Sequence, residues 1–521
     1  MMARGSGLLP YVLFFLAPFS LAAQGPDVGR NGVFNAASAT PLALSGGEIA
    51  RGALLAVTGV RLGTDAAGTA VRLAGSWGAM PLTLVSVSPT RIEARVPPAV
   101  PLGPATLTVT ASGQSSRAVP VRVVAAQFGA YSRIRNLSPW GARTANSPNQ
   151  AAAPGEAVVL EGTGLGSATA PQVFIGGKRG TLVSVRRGTT GKAADEIAVR
   201  IPAGAPEGCF VPVQVRGAGR LPSNIVTVAI HRGGGSCSPL EAIPFASWAG
   251  SRTGFVAVAR VVWRDLGATD DVITDEAGAS FARLPQTSGL PPFFLPPPPG
   301  TCVSQVQAAG DTLPQPNPVL DLLLSGAAEG PLRAGPELAI NDGQIQQKIR
   351  PVEGVPGVYY SKFSARGPGG AARVLPHFLS PSRLTLSGSG GDAGPFRVAL
   401  PGPEPFAITS RLSSVDRARG ATLRWDQMGA DRFAIVALSF VDPVTFTTGS
   451  CYCVADPGAT AIAVPPEALA NFPAVSPAEG GAKAFLTVIS WPVEPVSFSA
   501  AGLDHGLGIS AFVRSWEVTL R

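Results

Sequence analysis

Histidine occurs three times and methionine four times in 521 residues, and Asp, Glu, Lys and Arg together make up only 14% of the chain. So little charge excludes long solvated helices and coiled coils, whose outer faces must be charged. The scattered His231, His377 and His505 leave little for histidine-based metal or general-base chemistry. His505 sits beside Asp504 in a "GLDHG" turn and, with no nucleophile motif to serve, reads as a turn histidine. No G-x-S-x-G, H-E-x-x-H, phosphate-binding loop or complete G-x-G-x-x-G is present. No catalytic, cofactor-binding or metal-ligating residue is therefore assigned. Beyond the first two dozen residues there is no long uncharged apolar run, so no membrane-spanning helix is expected in the mature chain.

What the chain does have is 63 glycines and 50 prolines, the composition of short strands joined by turns. Its first residues, "MMARGSGLLPYVLFFLAPFSLAAQ", place Arg4 before an apolar stretch that ends in small residues. That is the pattern of a secretory signal peptide over 1–22, with cleavage after Ala22 or Ala23. Five cysteines in an exported chain predict disulfides with one thiol left over.

Charge is unevenly spread. From Asp27 to Ser238 there are 20 Lys and Arg against 9 Asp and Glu, a net +11, whereas Pro239 to Arg521 has 20 against 24, a net −4. Lys178, Arg179, Arg186, Arg187 and Lys192 form the densest basic group. It is a candidate patch for an extracellular polysaccharide or cell-envelope polymer. Export and the lack of any recognition signature argue against nucleic acid.

One phrase is written twice: "ARGALLAVTGVRLG" from Ala50 and "APGEAVVLEGTGLG" from Ala153. The copies stay in step through "IEARVP" and "IAVRIP", and close on alternating Val119, Val121, Val123 and Val226, Val228, Ile230. A period of two means that each strand buries one face. About 100 residues with six or seven strands suits a two-sheet sandwich, predicted over 30–131 and 133–238. Gly59 and Gly162 are expected where the backbone needs positive φ or close approach.

These repeats, with the "VPxxxPxG" bridge, the opening "GVFNAAS" and the closing "SNIVTVAI", resemble the IPT/TIG family and large secreted bacterial proteins that carry such modules. The resemblance implies immunoglobulin-like folds over residues 30–238, and it constrains function far less. The first copy departs from the pattern at Arg51 and "GVRLG".

Cys209 and Cys237 flank the last strand pair of the second copy and are expected to be bridged. Beyond them the repeat stops. Strands are predicted at "GFVAVARVVW", "ASFARL", "VLDLLLSG", "GVYYSKFS", "RLTLSGSG", "FRVALPG", "ATLRWDQ", "RFAIVALSFV", "TAIAVP", "AKAFLTVIS" and "ISAFVRSWEVTLR", with a stiff connector at Pro291 to Pro299 and a short helix at "PPEALANF". The expected fold class is all-β, with one or two further β-sandwich domains, 239–400 and 401–521, dividing near Pro401 to Pro405. Cys302 is expected to pair with Cys451 or Cys453. Asp270, Asp271, Asp275 and Glu276 in "TDDVITDEAG" offer hard oxygen ligands without calcium-loop spacing, and the stretch reads as a solvated loop.

The functional expectation is an exported, non-enzymatic structural or adhesive protein. The alternative is a carbohydrate-active enzyme or its accessory protein, with a site in 239–521 that a deep acidic or aromatic-lined cleft would favour.

Overall fold

The computed structural model describes residues 25–237, 250–284, 297–309, 330–365, 378–379, 383–476 and 481–521. The expected signal peptide, the "VLDLLLSG" strand, residues 291–296 of the proline-rich connector and His377 lie outside them.

Alternation builds the first module. Along Gly103–Ala111, Ala105, Leu107 and Val109 are buried while the residues between them reach solvent, and they meet Leu55, Val57 and Ile92 from the opposite sheet. That opposite sheet runs Asp27–Asn35, Leu54–Val60, Arg91–Arg95, Thr83–Val87. Gly103–Ala111 lies between Val119–Val124 and Thr69–Gly75. The second module repeats the plan, with Gly129–Leu137, Ala157–Thr163, Asp195–Arg200 and Thr181–Arg186 facing Gln172–Ile175, Gly208–Arg216 and Val226–Ile230. In both, the first, second, fifth and fourth principal strands oppose the third, sixth and seventh, which is the immunoglobulin-like arrangement.

Gly59 and Gly162 are close-approach positions. A Cβ on Gly59 would stand 2.1 Å from the Asp27 carbonyl oxygen, and one on Gly162 would stand 2.2 Å from that of Gly129. Each lets the first strand of its module lie against the second.

The modules are firmly joined. Arg95, buried at the end of its strand, donates to the carbonyls of Gly52 and Gly188 (both 2.8 Å), Gly191 (2.9 Å) and Ala193 (2.6 Å), the last three in a loop of the second module. Thr163 Oγ1 accepts the Leu54 N–H at 2.7 Å, and the Asn35 amide donates to the Thr163 carbonyl at 3.1 Å. The "GVFNAAS" and "GTGLG" stretches therefore meet at this joint. The first module also docks on the far half of the chain: Asn31, at positive φ in a bulge, donates to the Thr445 carbonyl at 2.7 Å, and Arg30 lies 3.9 Å over the Phe446 ring.

The second half corrects the expected division. Its strands on both sides of residue 401 share one 14-stranded sheet. Arg252–Arg264 pairs with Val272–Arg283 on one side and, in parallel, with His505–Leu520 on the other, from Thr253 opposite His505 to Arg264 opposite Trp516. Apart from Arg260 and Ser510, residues 254–262 and 506–513 are apolar with almost no alternation, as strands covered on both faces must be. Among the described residues of this half the two largest apolar cores are nevertheless distinct. One gathers Val256, Phe281, Leu338, Leu386 and Leu400; the other gathers Trp425, Leu438, Phe440, Phe472 and Leu486. The sheet bends so that Leu400 returns over Gly508, where a Cβ would meet it at 2.6 Å.

Two local expectations are also corrected. The helix expected at "PPEALANF" is a single 3-10 turn, Pro466–Leu469, because Pro465, Pro466 and Pro473 leave too little chain for a longer one. The acidic stretch expected as a solvated loop runs into the strand Val272–Arg283. Asp275 is fully buried in a bidentate pair with Arg260 (2.7 and 3.0 Å), and Glu276, on the other face, accepts the Tyr360 hydroxyl at 2.7 Å. Each carboxylate is held by a partner from a neighbouring strand, and the two point to opposite faces, which a common calcium site does not allow.

Candidate functional site

On the second module, Leu160, Ile197 and Ile134 enter the core, so their neighbours Glu161, Glu196, Arg133 and Arg135 face outward. Glu161 and Glu196 sit side by side on paired strands. Arg135 pairs with Glu161 at 3.2 Å. Arg143 forms a two-pronged pair with Glu196 (2.8 and 2.9 Å), and Arg186 closes on the same carboxylate from the other side, its Nε at 3.1 Å. Hydrogen bonding from Arg143 first, then from Arg186, overrides partial burial and holds the Glu196 carboxyl at about 2. With Arg200, two residues beyond Ala198 on the Glu196 strand, five arginines stand on this face against two glutamates.

The five basic residues expected as one patch divide. Lys178 and Arg179 are exposed on the edge strand beside Gln172–Ile175 and have no partner among the described residues. After Gly180 the chain crosses to the other sheet, where Arg186 is committed to Glu196. Arg187 lies exposed along the neighbouring loop, its Nε donating to the Gly166 carbonyl at 2.8 Å, and also reaches the Ala168 carbonyl. Lys192 lies 3.9 Å from Glu93 of the first module. Two of the five are thus free cations and three serve the fold.

Sequence reasoning missed Arg133, Arg135, Arg143 and Trp140. Trp140 is 90% exposed at the tip of the turn between Gly129–Leu137 and Arg143–Ala145. The turn is fixed by the Ser138 hydroxyl, which accepts the Ala142 N–H at 2.9 Å. The "SPWG" tetrapeptide was the available signal, since proline and glycine around a tryptophan mark a ring carried by a turn.

Cys209 and Cys237 are bonded, with Cα atoms 5.4 Å apart. Cys302 and Cys453 face each other across paired strands and are bonded, with Cα atoms 4.1 Å apart. Cys451 is the free thiol, pushed up to about 12 by burial. The three sulfurs lie within 4.8 Å of one another, but the disulfide takes two of them, leaving one thiol for any metal. In the second half a cleft opens beside Trp516, and two of its carboxylates are held by cations: Asp271 by Arg264 at 2.7 Å and Glu517 by Lys483 at 3.6 Å. Asp504, next to His505, accepts the Arg252 N–H at 2.7 Å. No helix among the described residues is long and apolar enough to cross a membrane.

Strand order and pairing make this a chain of immunoglobulin-like sandwiches followed by a large β unit. No family profile and no curated protein matches it. Among solved structures, a three-domain fragment of titin is similar at 10% identity, covering 71% of this chain and 94% of that one, with a TM-score of 0.14. Domains 5 and 6 of the S-layer protein SbsC reach 14% identity over 39% of this chain and 98% of that one, with a TM-score of 0.18. The surface glycan-binding protein PbSGBP-B from Prevotella bryantii reaches 12% over 56% and 59%, with a TM-score of 0.14. At such scores these likenesses carry no functional argument.

Proposed function

We propose that this is an exported adhesive protein of IPT/TIG type whose second module holds an anionic polysaccharide or envelope polymer. The observation that carries the reading is the outward sheet face with five arginines against two glutamates, together with the exposed Trp140 on its turn and the free Lys178 and Arg179 on the edge strand of the facing sheet. Carboxylated or sulfated chains meet the cations, and the ring offers a stacking surface for a sugar face. The joint through Arg95 keeps this face fixed relative to the first module, as an anchoring protein under load requires.

The test is retention of the mature chain on heparin and alginate columns across a salt series. Changing Lys178 and Arg179 to Ser should move elution to lower salt, because exposed charges are screened within about 8 Å at physiological ionic strength. Trp140→Ala should weaken retention without changing its salt dependence. Unchanged elution in both variants would remove the binding role from this module.

A further inference from the structure

The cleft in the second half has a volume of about 190 Å³ and lies between the turn joining Arg252–Arg264 to Val272–Arg283, the segment 408–413 and the strand His505–Leu520. Its walls are apolar, formed by Val262, Leu266, Ile408, Leu412 and Trp516. The Trp516 indole N–H is already given to the Leu412 carbonyl at 2.8 Å, so the ring offers hydrocarbon surface and no free donor.

Three guanidinium groups stand around these walls. Arg264 holds Asp271 at 2.7 Å, and Arg514 reaches the same carboxylate only at 3.6 Å while its Nε donates to the Phe406 carbonyl at 2.8 Å. Arg411 is exposed and has no hydrogen bond or ion pair among the described residues. The other two carboxylates of the lining are engaged elsewhere. Asp265 accepts the Trp263 indole N–H at 3.1 Å, and Glu517 accepts the Leu266 N–H at 3.3 Å and pairs with Lys483. Asp271 is thus the one lining carboxylate that ion-pairs with these arginines, and it reaches only two of them, Arg264 and Arg514. Burial lowers the pKa of Arg514 against the attraction of Asp271 and, more weakly, of Asp426, and the repulsion of Arg411 and Arg264 works in the same direction as burial. Like charges held together beside a partly dry surface are stabilised by an added anion.

We propose that this cleft binds a small carboxylate with an apolar body, the carboxylate bridging Arg411 and Arg514 and the body lying against Ile408, Leu412 and Trp516. The volume equals the liquid share of about six waters, which suits a single ring with its carboxylate. The apolar walls favour a hydrocarbon ring over a sugar acid, whose hydroxyls would lose their hydrogen bonds there. The site is separate from the basic face of the second module and does not rest on the polymer-binding reading.

Calorimetric titration of the whole mature chain tests the proposal with three probes: benzoate, its neutral isostere benzamide, and glucuronate. Benzoate should bind saturably at one site per chain, with benzamide and glucuronate each weaker by about tenfold or more. Arg411→Ala should weaken benzoate about tenfold with an unchanged melting temperature, since Arg411 supports nothing in the fold, and Arg411→Lys should recover part of the loss. Absence of saturable benzoate binding, an unaltered affinity in Arg411→Ala, or glucuronate binding as tightly as benzoate would each overturn the proposal.

Discussion

The two halves of the chain solve the same problem, burying apolar strand faces, at different sequence distances. In the modules each strand finds its partners within one repeat: Ala157–Thr163 pairs with Asp195–Arg200, and Gly208–Arg216 with Val226–Ile230. In the second half Thr253 lies opposite His505 and Cys302 opposite Cys453. Local pairing produces units that can be repeated and joined. Distant pairing produces one unit that exists only when its ends have met, at a larger loop-closure cost.

The sharpest test of that contrast uses the disulfides. Cys302→Ser with Cys453→Ser opens a loop of 151 residues, for which the chain-entropy relation gives about 5 kcal/mol. Cys209→Ser with Cys237→Ser opens one of 28 residues, for which it gives about 3–4 kcal/mol. Denaturant melts of each double variant should show the larger loss in the second half, with the other half's transition unmoved. Equal losses, or a shift in both transitions, would mean that the halves do not unfold as separate units.

Next in size is the joint. Arg95→Ala removes a buried cation that bonds three carbonyls of the neighbouring module and should cost about 3 kcal/mol. Limited proteolysis in the 188–193 loop should accelerate in parallel. A loss below about 0.5 kcal/mol would show that the modules are independent after all.

Smaller still is Glu196. Its carboxyl is held at about 2 against an ordinary 4.5, so its stabilisation is complete above the ordinary value and fades as pH falls from there towards 2. Glu196→Gln should cost about 1–2 kcal/mol at pH 7, discounted for the solvent that reaches both arginines. The wild-type and variant melting curves should draw together below the ordinary value and converge only as pH approaches about 2. A constant gap across that range would assign the loss to packing. The smallest effect belongs to Cys451, whose buried thiol should resist alkylation at pH 8 until the second half unfolds, measured by mass spectrometry against denaturant.

The same contrast explains what could be read from the sequence. Alternating valines and in-step glycines gave away the modules because all their pairings lie inside the repeat. In the second half individual strands such as Arg432–Asp442 and Lys483–Pro492 were legible, while the parallel partnership of Arg252–Arg264 with His505–Leu520 left no local trace. Asp275 and Glu276 looked like loop residues because Arg260 and Tyr360, which neutralise or satisfy them, come from other strands. At the candidate site the basic residues were visible, but which of them remain free depended on Glu196, Gly166 and Glu93. Trp140 was hidden for the opposite reason: a tryptophan reads by default as core, and only the turn that carries it puts the ring in water.

The strand His505–Leu520 lies between Arg252–Arg264 and Lys483–Pro492 and completes the pairing of both. A ribosome delivers the chain amino end first, so Arg252–Arg264 is synthesised about 250 residues before its parallel partner. At about 5–20 residues per second that is a delay of some 10–50 s, with an uncovered apolar edge of the kind that pairs with strangers. The two modules, whose strands pair within each repeat, are already synthesised by then. Timing thus sets the hazard: a chain cut or stalled before the strand His505–Leu520 carries its modules on an unclosed, aggregation-prone sheet, and a holding chaperone has most to do in that interval.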